Sequence, residues 1–386
     1  MAEQEAAAVR KKKPRRFYDY SLLFIVIFIT VFGLIMIYSA SSYSAQIAGR
    51  PASFYMMRQG KIALAGFAVM VIISKINYHI FAKFTIPAIV VSYLCMLLVE
   101  FTSLGISAKG RKRWLGVGAA RFQPAELVKV TVILVLAVVI TQLGKKINEW
   151  GSWGKIAVLI LPLAFLVTLN NLSSGIIICG IAFVMMFIAC KKKWPFIFAV
   201  ILAGVIFIFA PPVAMALEKA NILKEYQLSR ILVWKDPAAH SLDGGYQVLQ
   251  GLYAIGSGGL LGKGLGQSIQ KLSFLPESQN DMIFAIICEE LGLFGAVGVI
   301  LIFLFMIYRF MLIAGNAPDL FGALLVVGVM AHIGIQVILN VAVVTNVIPN
   351  TGITLPFISY GGTSVLFLMI EMGMVLSVSN QIKLER

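Results

Sequence analysis

Asp281 is the residue best placed to do chemistry in this sequence. It follows Leu275-Pro-Glu-Ser-Gln-Asn280 and precedes the apolar run Met282-Ile-Phe-Ala-Ile-Ile, so its carboxylate stands at the entry to a membrane span. Two roles compete there. Asn280 or Asp281 can cap the following helix by accepting its orphan amides. Alternatively, Asp281 can act as a general base on a hydroxyl presented at the membrane surface. Capping stabilises the carboxylate and lowers its basicity, while burial raises it, and the local sequence leaves both roles open.

A second group is cationic. Lys109, Arg111, Lys112, Arg113 and Arg121 crowd one loop that the topology below turns outward, although loops kept in the cytoplasm normally hold most short-loop Lys and Arg. Such a cluster calls for an anionic counterpart, either a substrate head group or the head groups of anionic phospholipids. The neighbouring Trp114 serves equally as an interfacial aromatic anchor.

The elements that must position these residues are membrane helices. Of 386 residues, 60% are hydrophobic and 13% charged, with a mean hydropathy of +0.92. Successive apolar runs reach the length that crosses a bilayer, roughly 20 residues each. The fold class is all-α, a polytopic integral membrane protein with about ten spans: Ser21–Tyr38, Ile62–Lys75, Ile80–Phe101, Glu126–Thr141, Ile156–Leu169, Ile176–Cys190, Pro195–Val213, Met282–Tyr308, Phe321–Val344 and Thr363–Val378. Counted in alternation, these spans put Arg10 to Arg16, Lys75 with Lys83, Lys145 with Lys146, Lys191 to Lys193, Arg309, and Lys383 with Arg386 on one side. That side is the cytoplasm. Both termini are then cytoplasmic, and the loops 102–125, 170–175, 214–281 and 345–362 face out. Residues 1–20 form a basic tail, and 21–386 form one membrane domain. The first apolar stretch is longer than a signal-peptide core and reads as an uncleaved anchor.

The outward insertion 214–281, between the seventh and eighth spans, far exceeds ordinary connections of roughly 2–8 residues. Within it, Glu218 to Trp234 suits an amphipathic interfacial helix, and Gly244 to Gly266 suits a flexible or re-entrant loop. The stretch around Gly262-Lys263 fails as a phosphate loop, because Ser257 stands where the first Gly belongs and Gly264 where the magnesium-holding Ser/Thr belongs. A formal net charge of +15 fits anchoring to anionic lipid and the outward cations, so nucleic acid is not an expected partner. Cys95, Cys179, Cys190 and Cys288 lack paired spacing, and His79, His240 and His332 are scattered. Neither a disulfide framework nor a metal site is expected.

Ionisable residues within spans need partners or tasks, because hydrocarbon makes them costly. Glu126 and Lys129 are three apart on one helical face and can pair. Glu289, Glu290 and Glu371 are either interhelical glue or part of a substrate or ion pathway.

Together these stretches resemble the shape, elongation, division and sporulation (SEDS) family, the FtsW and RodA type polymerases of bacterial cell-wall glycan. The matching residues are Gly110-Arg-Lys-Arg-Trp114, Gln123-Pro-Ala-Glu-Leu-Val-Lys129, Arg230-Ile with Asp236-Pro, Gly245-Tyr-Gln247 and Ala254-Ile-Gly-Ser-Gly-Gly259 through Gly262-Lys-Gly264. Further along come Leu275-Pro-Glu277, Asp281 with Phe284-Ala285, Glu289-Glu-Leu-Gly292, and Pro349-Asn-Thr-Gly352 through Leu355-Pro-Phe-Ile-Ser-Tyr-Gly-Gly362. There are departures. Asn170-Asn-Leu-Ser-Ser-Gly175 replaces the family's Pro-Asp-Leu-Gly-Thr, Gln279-Asn280 replaces His-Thr, and Met282 replaces Phe. The Ser39-Ala-Ser-Ser42 stretch and the basic tail look more like the division or sporulation branch than the elongation branch.

The resemblance implies peptidoglycan glycosyltransferase activity on lipid II, with Asp281 as catalytic base. It places Arg113 and Trp114 at the substrate; Arg111, Lys112 and Arg121 are helpers inferred from position and charge. Gln123, Glu126, Lys129, Arg230, Lys263, Ser359 and Tyr360 join the expected substrate-binding set. The sequence requires no cofactor and leaves room for a divalent cation. A class B penicillin-binding protein transpeptidase and other divisome or elongasome membrane proteins are the implied partners, in the bacterial plasma membrane with the active site extracytoplasmic. The competing reading is a lipid II flippase, which the same cations and intramembrane carboxylates would serve. Against it stands the concentration of ionisable groups on one face, since alternating access needs a site reachable from both sides.

Overall fold

The computed structural model describes residues 17–108, 111–117, 120–219 and 225–383, and shows a bundle of long apolar helices. The basic tail Arg10 to Arg16 and Lys109 lie outside the described residues. The first helices are α1 (Tyr20–Ile47), α2 (Phe54–Lys75), the short α3 (His79–Lys83) and α4 (Thr85–Phe101). Strands β1 (Gly105–Ala108), β2 (Arg111–Val117) and β3 (Ala120–Phe122) follow, then α5 (Pro124–Leu143), α6 (Trp150–Asn170), α7 (Leu172–Ala189), α8 (Trp194–Ile208), α9 (Ala210–Lys219) and α10 (Glu225–Lys235). The last are α11 (Tyr246–Gly258), α12 (Ile283–Gly315), α13 (Leu320–Val344) and α14 (Thr363–Ser379). Seven of the helices are long and apolar enough to cross a membrane, and α8 with α9 would make an eighth were they straight. The shorter α4 and α14 are also apolar.

Helices α5 and α13 run through the middle and are the most buried of the long ones. Outer helices leave large apolar side chains bare, among them Phe198, Ile201 and Ile208 of α8 and Phe165 of α6. Water would not tolerate that surface; lipid tails do.

Local chemistry fixes several helix ends. Asp19 caps α1 by accepting from Leu22 N at 2.9 Å, and its carboxylate also binds Arg309 at 2.7 Å near the far end of α12. Asp319 caps α13 through Gly322 N at 2.8 Å and accepts from the Tyr78 hydroxyl at 2.9 Å. Burial would raise the Asp319 carboxyl, but these donors and His79 outweigh it and hold it below the usual carboxylate range.

Four expectations need correction. The loop 102–125 is not irregular: it folds as an antiparallel sheet of order β1-β2-β3, so the chain is not purely α. The predicted third span begins with α3, a separate short helix, before α4. The predicted seventh span breaks after Ile208, where α8 and α9 meet at a bend of 84°. Finally, the insertion is largely helical. The part expected to be amphipathic contains the end of α9 and, from Glu225 on, α10, and the glycine-rich stretch expected to be a loop contains α11, packed on α12.

Candidate active site

Asp281 does not cap α12. The cap position belongs to Met282, which makes no side-chain capping bond. Asn280 is engaged elsewhere, its amide donating to the Glu277 carboxylate. The Asp281 side chain is buried at 6% exposure, and its Oδ2 lies 3.5 Å from where a Cβ on Gly352 would stand. Gly352 has φ +69°, a backbone conformation that costs other residues dearly. Glycine there lets the 349–362 segment close over the carboxylate.

That segment is stitched down from several sides. Ser359 Oγ accepts from Leu355 N at 2.7 Å, and Tyr360 N donates to Gln279 O at 2.9 Å, directly in the approach to Asp281. Gln59 of α2 donates to Ser359 O at 3.4 Å and accepts from Gly362 N at 3.1 Å. The Tyr360 ring meets Tyr55 edge-on at 5.1 Å. Burial raises its phenol above the ordinary range, and Arg58 offsets this only in part. Arg230 of α10 donates to Asn350 O at 3.2 Å, and Trp234 donates to Asn346 O at 3.0 Å, so the insertion grips the same segment.

The cations divide. Arg113 on β2 is half-buried and donates from Nε to Asn170 O at 3.0 Å. It lines a recess with Gln123, Pro124, Asn170 and Asn171 where α4 to α7 meet the sheet. Lys112 lines the recess too, but its Nζ donates to the carbonyls of Glu100 and Thr102, both at 3.3 Å, at the end of α4. These bonds cap the C-terminal end of α4. Arg121 is exposed on β3, Trp114 is half-buried opposite Ile106, and the Arg111 side chain lies outside the described residues. The recess and Asp281 share one end of the bundle. Ser173, in the first turn of α7, donates to Thr351 O, beside Gly352.

Three expected substrate binders are engaged by side chains of the protein itself. Glu126 and Lys129 are buried and paired at 2.9 Å, with Ser364 donating to Glu126 at 3.2 Å. Lys263 binds Glu289 at 2.7 Å and Ser257 at 2.9 Å. The intramembrane acids are likewise partnered. Glu290 accepts from Lys271 at 2.8 Å and from Ser39 of α1 at 2.6 Å, and Glu371 lies 2.8 Å from His332 Nδ1.

Sequence reasoning missed Gln59, Gln336 and Asn340. For two of them a signal was present: His332, Gln336 and Asn340 recur every fourth residue in an otherwise apolar span. That spacing puts polar groups in a single row on a membrane helix.

Residues 20–384 match the model of the cell cycle protein family of FtsW, RodA and SpoVE. Stage V sporulation protein E of Bacillus subtilis (strain 168) is 36% identical over 363 residues, 94% of this chain and 96% of the relative. A probable peptidoglycan glycosyltransferase FtsW of the same organism is 36% identical over 377 residues, covering 96% and 93%. Among solved structures, a chain described under structural coordination of polymerization and crosslinking by a peptidoglycan synthase complex superposes with a TM-score of 0.75 at 28% identity, covering 94% of this chain and 97% of that one. The rod shape determining protein RodA of Thermus thermophilus superposes with a TM-score of 0.68 at 24% identity, covering 95% and 98%, and supports the fold alone.

Proposed function

From the premise that the chain belongs to the FtsW, RodA and SpoVE family of cell cycle proteins, we propose that it polymerises glycan strands from lipid II with Asp281 as the base. The chain is a peptidoglycan glycosyltransferase. In the proposed reaction Asp281 takes the proton from the 4-hydroxyl of the acceptor N-acetylglucosamine. The freed oxygen attacks the anomeric carbon of the lipid-linked donor with inversion, and the polyprenyl pyrophosphate departs. Arg113, in the recess at the same end of the bundle, offsets charge developing on that pyrophosphate. Ten spans with both termini in the cytoplasm put this end outside the plasma membrane, where the lipid-linked donor is consumed. The division or sporulation branch accords with the relatives' names.

The observation that carries this reading is a buried carboxylate that does not cap the helix it precedes. Nor do the intramembrane ionisable groups call for transport, since Glu126, Lys129, Glu289, Glu290 and Glu371 are accounted for by one another and by their neighbours.

Gel analysis of glycan products tests the proposal, using purified protein with its transpeptidase and lipid II. Wild type should yield polymer. Asp281→Asn keeps the size and removes the base, and should reduce polymer by at least about a hundredfold while leaving expression and partner binding intact. Wild-type rates in Asp281→Asn would refute the assignment.

A further inference from the structure

His332, Gln336 and Asn340 form one row on α13 and are buried at 2% exposure or less. Polar groups at such depth are costly unless bonded, and apart from Asn340 Oδ1 these are bonded in a definite order. Asn340 Nδ2 donates to two backbone carbonyls at once, Asp281 O at 2.9 Å and Ile353 O at 2.7 Å. One turn deeper, Gln336 Nε2 donates to Thr354 O at 2.9 Å. Its Oε1 then accepts from His332 Nε2 at 2.9 Å and from Lys129 Nζ at 3.3 Å. With Nε2 donating, the contact of 2.8 Å between His332 Nδ1 and Glu371 Oε2 also requires a proton between them. The lower end of the row is thus anchored to α5 through Lys129 and Glu126, and to α14 through Glu371. Its upper end joins the two segments that meet at the carboxylate.

We propose that Asn340 is a positioning residue for glycosyl transfer, resting on the reading of Asp281 as the base: its amide sets the distance between the Asp281 backbone and the Gly352–Ile353 segment. Asn340 touches backbone only and does not reach the substrate by this account. Its residue type follows from the geometry. Two N–H groups on one atom bridge two carbonyls; Ser offers one donor, and Ala or an ionised Asp none. Loosening the bridge lets the Asp281 backbone and the Gly352–Ile353 segment move relative to each other, and misplacement by about 1 Å costs on the order of a hundredfold in rate.

The test is lipid II turnover against lipid II concentration for Asn340→Ala and Asn340→Ser, purified with the transpeptidase. Thermal unfolding and amide hydrogen exchange are measured on the same samples. Asn340→Ala should lower kcat by about tenfold or more with KM within about twofold, and Asn340→Ser should lose less. Exchange should quicken across residues 349–355 and stay unchanged in α5. Should Asn340→Ala fail to fold, Asn340→Ser carries the test. Unchanged kcat overturns the proposal, and so does a loss that tracks the folded fraction or falls on KM alone. Asp281→Asn runs in parallel: if it is inactive while Asn340→Ala is fully active, only the positioning role fails. If Asp281→Asn is active, the base assignment fails and this proposal fails with it.

Discussion

Lys112 and Arg113 are adjacent in sequence and do different work. Lys112 donates to the terminal carbonyls of α4, and Arg113 reaches the recess beside Asn170. Sequence marked both as cations in an unusual place, and the resemblance singled out Arg113. What it could not reveal was the partner of each, because both partners lie on other elements and the sheet that brings them together was not foreseen. The contrast gives a prediction. Arg113→Ala should lower lipid II turnover by roughly tenfold or more with little change in stability, since it removes the cation proposed to offset charge on the departing pyrophosphate. Lys112→Ala should instead lose about 0.5–1 kcal/mol of stability through the uncapped end of α4, with turnover nearly intact. Thermal unfolding and turnover measured on both variants separate the two. Equal turnover in Arg113→Ala and wild type would remove the pyrophosphate site. The Glu126–Lys129 pair, by contrast, was legible from i,i+3 spacing alone, and it forms at 2.9 Å.

At the scale of elements, α12 is the part that had to be seen rather than read. It is interrupted at Gly292, with φ +65° and ψ −164°. The break turns the carbonyls of Glu289 and Glu290 outward to accept from Lys263 N and Gly264 N, both at 2.9 Å, and Leu293 N returns a bond to Gly259 O at 3.0 Å. The glycine-rich stretch thereby becomes part of the wall of α12 instead of a free loop. Sequence showed the glycines and the paired acids, but their mutual use depends on contacts about thirty positions apart, beyond any local pattern. A Cβ at Gly292 would lie 2.3 Å from Gly262 N and 2.4 Å from Leu260 O. Both are backbone atoms that cannot swing away. Gly292→Ala should therefore cost the φ strain of about 1–2 kcal/mol and the collision as well. We expect detergent-solubilised protein to melt at clearly lower temperature and the 259–271 segment to become protease-sensitive. Unaltered melting and proteolysis would mean that the break is incidental.

For the whole molecule, apolar runs were enough to locate every long helix, because hydrocarbon imposes one solution on the backbone. They did not fix its ends: α1 continues to Ile47 beyond the expected Tyr38, and α2 starts at Phe54 instead of Ile62. Broken helices and the sheet escaped them, since bends and sheet pairing arise from tertiary contact. The same logic bears on partnership. The outer face of α12 presents Leu293, Val297, Leu301, Leu304, Phe305 and Tyr308 at helical spacing, each substantially exposed, whereas α13 is mostly enclosed and offers Ile338. A stripe of this kind suits a single membrane helix, because helices in lipid associate by close packing without a large soluble interface. The α10–α11 region leads from this face to the segment over Asp281 through Trp234 and Arg230. A transpeptidase with one membrane span would, if docked on α12 and touching the insertion, be positioned to bias the site toward its competent geometry. Photocrosslinkers at Leu293, Val297, Leu301 and Ile338 should capture the transpeptidase in cells, with the α12 positions more efficient than Ile338. Capture from α1, α2 and α4 in place of α12 would overturn the interface.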